Sequence, residues 1–301
     1  MKYVCAQPAT LYFAWQVDVL VNSLIKNNVK PNDIQVLYSR QGNIIEPIHR
    51  LINKYPGVGF FFYKDDRKYK NYIPSIKQHM LHKHYLANPY MENEDIFLVD
   101  SDICLTKPLD FTNLLKDDIW YVSDTVSYIG YDYILSKGRD ILEPMLEIGG
   151  ISEDIVKSNQ NASGGAQYLY KKVKAEFWEE VVDMSHEIYM KISEISRIKK
   201  EADPSYHEIQ IWTAEMWAML WVAWKQGIMT CVSSKLDFTW ATDPITYWGK
   251  RAIYHNAGAT SDKDGMFYKG KYTSEFPPDN LDIKNTRACH YYYQLIKETL
   301  Y

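Results

Sequence analysis

The chemistry of this chain concentrates where a short apolar run ends in acid: Ile96-Phe97-Leu98-Val99 is followed by Asp100-Ser101-Asp102. Residues two apart in an extended segment point the same way. Asp100 and Asp102 therefore present their carboxylates together, just past the carboxyl end of a buried strand. Open α/β sheets bind ligands at that end. Side-by-side carboxylates repel unless a cation lies between them. A hard divalent ion such as Mg²⁺ or Mn²⁺ prefers oxygen ligands and shares them with a diphosphate, offsetting charge on a departing nucleotide diphosphate. The competing reading is an Asp pair at a strand-to-turn junction that caps a following helix.

Another carboxylate, Glu215, stands in sequence among Trp212, Met216, Trp217 and Leu220. An ionised group in such surroundings is costly without partners. Glu215 is either held in a buried hydrogen-bond or salt-bridge network or poised for chemistry. Asn161-Ala162-Ser163-Gly164-Gly165-Ala166-Gln167 reads as a turn of small residues before a helix. Gly164 and Gly165 let a backbone approach a ligand closely, and a helix start offers N–H donors; an ordinary turn explains the stretch equally well. Lys77, on an expected helix before the acid pair, is open to two readings, a diphosphate partner or a plain surface residue. His79, His82 and His84 crowd the same helix, but only the first two share a face, and no cysteine or fourth ligand is near. They read as solvated helix residues and not as a zinc site.

These groups need a scaffold, and the hydrophobic periods supply one. Strands are expected at residues 2–6, 33–39, 59–63, 95–99 and 120–123, with helices at 15–26, 44–54 and 75–86 between them. Such alternation predicts an α/β fold with a mostly parallel twisted sheet flanked by helices. Residues 171–199 read as a charged helix stopped by Ala202-Asp203-Pro204-Ser205, 207–227 as a buried helix rich in tryptophan, and 290–300 as a closing helix. The apolar run around Glu215 is shorter than the ~20 residues a membrane span requires, so no membrane partner is expected. No linker divides the chain, and one unit covering 1–301 is the expectation.

Bulk properties narrow the choice of function. With 46% hydrophobic and 24% charged residues the 301-residue chain is globular, not disordered. A net charge of −4 gives no global pull toward nucleic acid or anionic membrane. Three local segments, 64–72, 171–174 and 268–272, do mix basic residues with rings. They can grip a phosphate backbone and stack on bases, or simply be solvated loops. Cys5, Cys104, Cys231 and Cys289 form no CxxC pair, as suits reduced thiols. Met1-Lys2-Tyr3-Val4-Cys5-Ala6 runs into strand-like sequence without a leader's apolar core, so a cytoplasmic location is expected.

The strand and acid pair, followed by Thr106-Lys107-Pro108-Leu109, resemble the core of GT-A glycosyltransferases. The wider order of motifs is similar to the plant hydroxyproline arabinosyltransferases and peptidyl serine galactosyltransferases. The parallels are Tyr12-Phe13-Ala14-Trp15-Gln16, residues 97–109, residues 161–167 and Ala214-Glu215-Met216-Trp217. The resemblance implies a single GT-A domain, with 1–110 as the nucleotide-sugar-binding half and 111–301 as the acceptor-binding half. It also implies an enzyme: a hexosyl- or pentosyltransferase moving arabinose or galactose from a UDP-sugar to a hydroxyl with retention. Asp100 and Asp102 would hold Mn²⁺ or Mg²⁺ with a third ligand. His255, in Ile253-Tyr254-His255-Asn256-Ala257-Gly258, is the candidate, the alternative being a histidine hydrogen-bonded at a strand end. Gln7, Ser39, Arg40, Lys77, Asp100, Ser101, Gly164, Gly165 and Gln167 would meet the donor. Trp240 and Asp243 would face the acceptor, since an indole face suits a sugar ring. Asp102 and Glu215 would carry the chemistry, Glu215 orienting a sugar or acting as base.

For the acceptor, bacteriophage enzymes that glycosylate hydroxymethylated pyrimidines in DNA act in a host cytoplasm, and such DNA would suit the basic segments. A protein or glycan hydroxyl is the alternative. Nucleotidyl transfer also uses paired carboxylates and a divalent ion, but it wants a phosphate cradle early in the chain, and residues 6–12 hold none. A carbohydrate- or nucleic-acid-binding module with a vestigial site predicts ligand binding indifferent to EDTA.

Overall fold

The structure, a computed structural model, describes residues 1–300. Its strands are β1 Lys2–Pro8, β2 Ile34–Arg40, β3 Gly59–Lys64, β4 Ile96–Leu98, β5 Ile103–Leu105, β6 Trp120–Asp124, β7 Gly164–Tyr170, β8 Thr230–Val232, β9 Phe238–Trp240 and β10 Ile253–His255. The helices of nine residues or more are α1 Leu11–Lys26, α2 Glu46–Lys54, α3 Ile76–Ala87, α4 Arg139–Gly149, α5 Ala175–Ala202, α6 Ala214–Lys225 and α7 Cys289–Leu300. Seven strands form a mostly parallel sheet in the order β3-β2-β1-β4-β7-β6-β8, and β5-β10-β9 form a small second sheet. The expected α/β fold is present. Among the described residues no helix is long and apolar enough to cross a membrane.

By packing, the chain divides into two compact units, each assembled from separated stretches. The first joins Met1–Lys64, Leu98–Asn113 and the chain from Lys235 onward; the second joins Asp65–Phe97 and Leu114–Ser234.

In the first unit β1, β2 and β3 pair in parallel, Cys5 opposite Val36 and Val36 opposite Phe60. Six of the seven residues of β2 are buried, as a parallel strand covered on both faces requires. Helix α1 buries Trp15, Val19 and their neighbours in an aromatic core with Tyr254, Phe267 and Tyr292. The Trp15 indole N–H donates to the Tyr272 carbonyl at 3.2 Å, so its polar atom is satisfied where its ring is buried. The small sheet lies in this unit. Residue β10 His255 sits opposite Ile103 in antiparallel β5 and opposite Trp240 in parallel β9.

In the second unit α6 is buried along Ala214–Trp224, consistent with a helix that is apolar all round. Strands β6 and β7 run antiparallel with an irregularity between Val122 and Asp124. Ala166, in β7 near that irregularity, has φ +66°, a left-handed conformation that costs an L residue about 1 kcal/mol or more.

Several expectations need correction. Residues 161–167 do not lead into a helix. Gly164 opens β7, whose run Gln167-Tyr168-Leu169-Tyr170 has the ring-rich, fully buried character of an internal strand. The helix expected at 207–227 starts at Ala214. The Tyr72 hydroxyl donates to the Trp212 carbonyl (2.8 Å) and accepts from the Glu215 N–H (2.9 Å), occupying backbone groups that a longer helix would pair internally. His84 is not solvated. It is fully buried with Asn88 Nδ2 3.2 Å from its Nδ1, and burial pushes its pKa down to about 4. Strands β5, β8, β9 and β10 are three residues each, too short to show a period.

Candidate functional site

Two groups of ionisable side chains stand out, one in each unit. In the first, the turn after β4 carries Asp100 and Asp102, and β10 carries His255. Their ligand atoms lie within 4.8 Å of one another. His255 Nε2 is 3.2 Å from Asp102 Oδ1 and 3.9 Å from Asp100 Oδ2. The local fold brings this about. The backbone N–H of Asn256 donates to the Asp102 carbonyl at 2.9 Å, and the pairing of β10 with β5 clamps His255 beside the acid turn. Tyr254 OH donates to Asn256 Oδ1 at 2.8 Å, stiffening the stretch that follows. The Trp240 indole lies parallel to the His255 ring, 6.5 Å between centroids, and the Phe238 ring meets it edge-on at 5.1 Å. The imidazole is thus held by packing.

The charges in this group are unequal. Asp102 is buried, and the Lys269 ammonium forms an ion pair with its Oδ2. Burial pushes the Asp102 carboxyl up, but Lys269 and His255 pull harder and hold it well below the usual carboxylate range. Lys269 answers in kind: burial would lower it, yet Asp102 keeps it above its ordinary value. Two carboxylate oxygens and an imidazole nitrogen form a donor set that suits Mg²⁺ or Mn²⁺, so the residues present fit such an ion.

Other candidates of this unit fall around the same strands. Gln7 is buried at the end of β1, its amide atoms lacking hydrogen-bond partners apart from the neighbouring Cys5 thiol. Ser39 is buried and its carbonyl accepts from the Ala9 N–H, whereas Arg40 is exposed. Ser101 donates to Gln16 Oε1 at 3.4 Å. Asp243 accepts from the Trp240 N–H at 2.9 Å, so the two move as one.

In the second unit, Glu215 is buried at the start of α6 with Lys77 Nζ 3.1 Å from Oε1 and Gln78 Nε2 donating to Oε2. This corrects the surface reading of Lys77, whose side chain is only 10% exposed. Gln167 accepts from Ser123 Oγ at 2.6 Å. Gly164 and Gly165 face protein: a Cβ on Gly164 would lie 2.3 Å from the Ser123 carbonyl oxygen, and one on Gly165 2.3 Å from Met216 Cε. Packing against the backbone of β6 therefore requires a glycine at 164, whereas at 165 the atoms in the way are the mobile ends of Met216 and Tyr168.

The three base-and-ring segments are partly exposed, as solvated loops would be, but each anchors a basic side chain inside the protein or in an ion pair. Arg67 is buried with Asp65, its Nη1 donating to the Tyr72 carbonyl and to Ser75 Oγ. Lys171 is buried with its ammonium on the carbonyls of Leu114 and Asp117. Lys269 engages Asp102 and Lys271 engages Asp262. Sequence reasoning missed Lys269, Gln78 and Tyr72 as partners. Lys269 and Asp102 are 167 positions apart, and no local pattern joins them.

No family model matches the chain, and no curated protein matches it in sequence. Solved structures do. The apo structure of the bifunctional glycosyltransferase WbbM aligns with TM-score 0.55 and 12% identity over 100% of this chain and 50% of that one. Mouse xyloside xylosyltransferase 1 gives 0.42 and 9% over 86% and 98% of the two chains. Glycosyltransferase GlyE of Streptococcus pneumoniae TIGR4 gives 0.43 and 12% over 98% and 60%. This chain thus spans about half the length of WbbM. The likeness to WbbM establishes the fold: along its whole length this chain carries the α/β architecture found in a glycosyltransferase.

Proposed function

We propose that the chain is a metal-dependent GT-A glycosyltransferase that moves a sugar from a UDP-sugar to a hydroxyl acceptor. The convergence of Asp100, Asp102 and His255 carries this reading, and the fold shared with WbbM supports it. When bound, the ion supplies positive charge to a diphosphate leaving group. Asp100, Asp102 and His255 hold it. Lys269 neutralises Asp102 and keeps that carboxyl ionised. The Gln7 amide, with polar atoms in want of partners, Ser39, Arg40 and Ser101 meet the nucleotide, and Trp240 and Asp243 the acceptor side. Glu215 orients a substrate hydroxyl. Lys77 is paired with Glu215, so its part is to hold that carboxylate in place and not to bind diphosphate directly. Gly164, Gly165 and Gln167 shape the donor side by building β7. Arabinose or galactose as the sugar, and retention of configuration, follow the enzymes the sequence resembles.

For the acceptor, a protein or glycan hydroxyl and hydroxymethylated DNA are the two readings. Phosphate backbones need available cations: Arg67, Lys171 and Lys269 are engaged with partners inside the protein, whereas Lys68 and Lys70 lie exposed in the first basic segment.

The test is a panel of nucleotide sugars scored by thermal shift with Mn²⁺ and again with EDTA. Turnover of any hit is then followed by mass spectrometry on peptides, glycans and hydroxymethylated DNA. The expected result is a UDP-sugar that stabilises only with metal and is turned over. Binding indifferent to EDTA, with no turnover of any donor, would replace the enzyme with a binding module.

A further inference from the structure

Trp212 is the exposed tryptophan of the second unit, with 57% of its surface open, although Trp120, Trp178, Trp217 and Trp221 of the same unit are fully buried. It is not loosely held. It sits in a single 3₁₀ turn, Ile211–Thr213, directly before α6. Its carbonyl accepts from Tyr72 OH, which in turn accepts from the N–H of Glu215. Tyr72 is itself buried. It stacks on Tyr189 at 4.6 Å, and Arg67, paired with Asp65, donates to its carbonyl. The base-and-ring segment singled out in the sequence thus acts as a bracket: Asp65, Arg67 and Tyr72 hold the Trp212 backbone and the start of α6 in one position. Tyr128 completes the surface, its ring 6.4 Å from the Trp212 ring and inclined by 30°.

An exposed indole on a pinned backbone, with a second ring beside it, offers an apolar shelf, and Glu208 and Gln210 of the same stretch are exposed polar residues. A flat indole face matches the C–H face of one sugar, and exposed polar neighbours can meet its rim hydroxyls. We propose that Trp212, with Tyr128, is a carbohydrate-stacking platform that receives a sugar ring of a glycan acceptor. The assignment of that sugar as acceptor rests on the glycosyltransferase reading; the platform itself does not. Trp212 acts here by binding, and Tyr72 is a positioning residue.

The probes are the methyl glycosides of galactose, glucose, xylose and arabinose, titrated into the full chain. Nε1–H resonances of the nine tryptophans are recorded, with that of Trp212 identified by its loss in Trp212→Phe. At least one glycoside is expected to shift the Trp212 signal, and Trp212→Ala to weaken that glycoside about tenfold. Tyr90→Ala, which removes another exposed ring, should leave the affinity unchanged. Glycosides that leave Trp212 unshifted, or that bind Trp212→Ala as well as the natural chain, overturn the platform. Metal-dependent hydrolysis of nucleotide sugars is measured in parallel. A Trp212 shift without any hydrolysis keeps the platform and sinks the transferase, and hydrolysis without a shift does the reverse.

Discussion

The acid group of the first unit and the acid group of the second solve the same electrostatic problem in opposite ways. Asp100 and Asp102 bring two carboxylates together beside the Lys269 ammonium, which forms its ion pair with Asp102. The side chain of Asp100 stays 32% exposed, so the group keeps an open side. Glu215 has an ammonium on one oxygen and an amide on the other, and its side chain is only 9% exposed. Excess negative charge on the rim of a small sheet favours a cation from solution, whereas a matched pair offers no net charge to hold one. The lesson concerns charge balance: the surroundings of a buried acid tell more about its use than its burial does.

The largest effect expected from breaking this contrast is at Asp102. Asp102→Ala should lower metal-dependent turnover about 10³-fold, measured as release of UDP, and abolish the Mn²⁺-dependent rise in Tm. A variant that keeps full turnover would remove the acid pair from the mechanism. The matched pair should respond in stability. Glu215→Ala leaves the Lys77 ammonium buried without its carboxylate and should cost ~3 kcal/mol in urea unfolding, while Lys77→Met with Glu215→Leu recovers most of the loss. Equal costs for the single and the double change would mean that the pair is not balanced as described.

His255→Ala should weaken Mn²⁺ by ~10–100-fold in a titration followed by Tm, without the full loss at Asp102, because two carboxylates remain. The smallest effect is expected away from both acids. Ala166→Gly relieves the positive φ in β7 and should stabilise the chain by ~0.5–1 kcal/mol in the same urea assay. A loss there would show that the methyl group packs better than the backbone is strained.

Strand β4 and the acid pair were legible because Ile96-Phe97-Leu98-Val99 is apolar on both faces and then turns abruptly polar. Helices α1, α2, α3 and α7 were legible within a few residues, since their periods run over several turns. The nature of β7 was not, because its glycines read locally as a turn, and only the backbone of β6 explains why a side chain is excluded at Gly164. His255 entered as a metal ligand through a family resemblance. Spacing alone could not have singled it out among eight histidines.

Sequence by itself determined what short-range interactions determine: the long helices and the first strands, which helix is wholly buried, and that Asp100 and Asp102 point the same way. Tertiary structure alone decided which cation answers which acid, Lys269 for Asp102 and Lys77 for Glu215, and that Tyr72 pins Trp212. The physical reason is range. An ion pair or hydrogen bond acts over a few ångströms, and residues more than a hundred positions apart come that close only when the chain folds them together, in part through three-residue strands silent in the sequence.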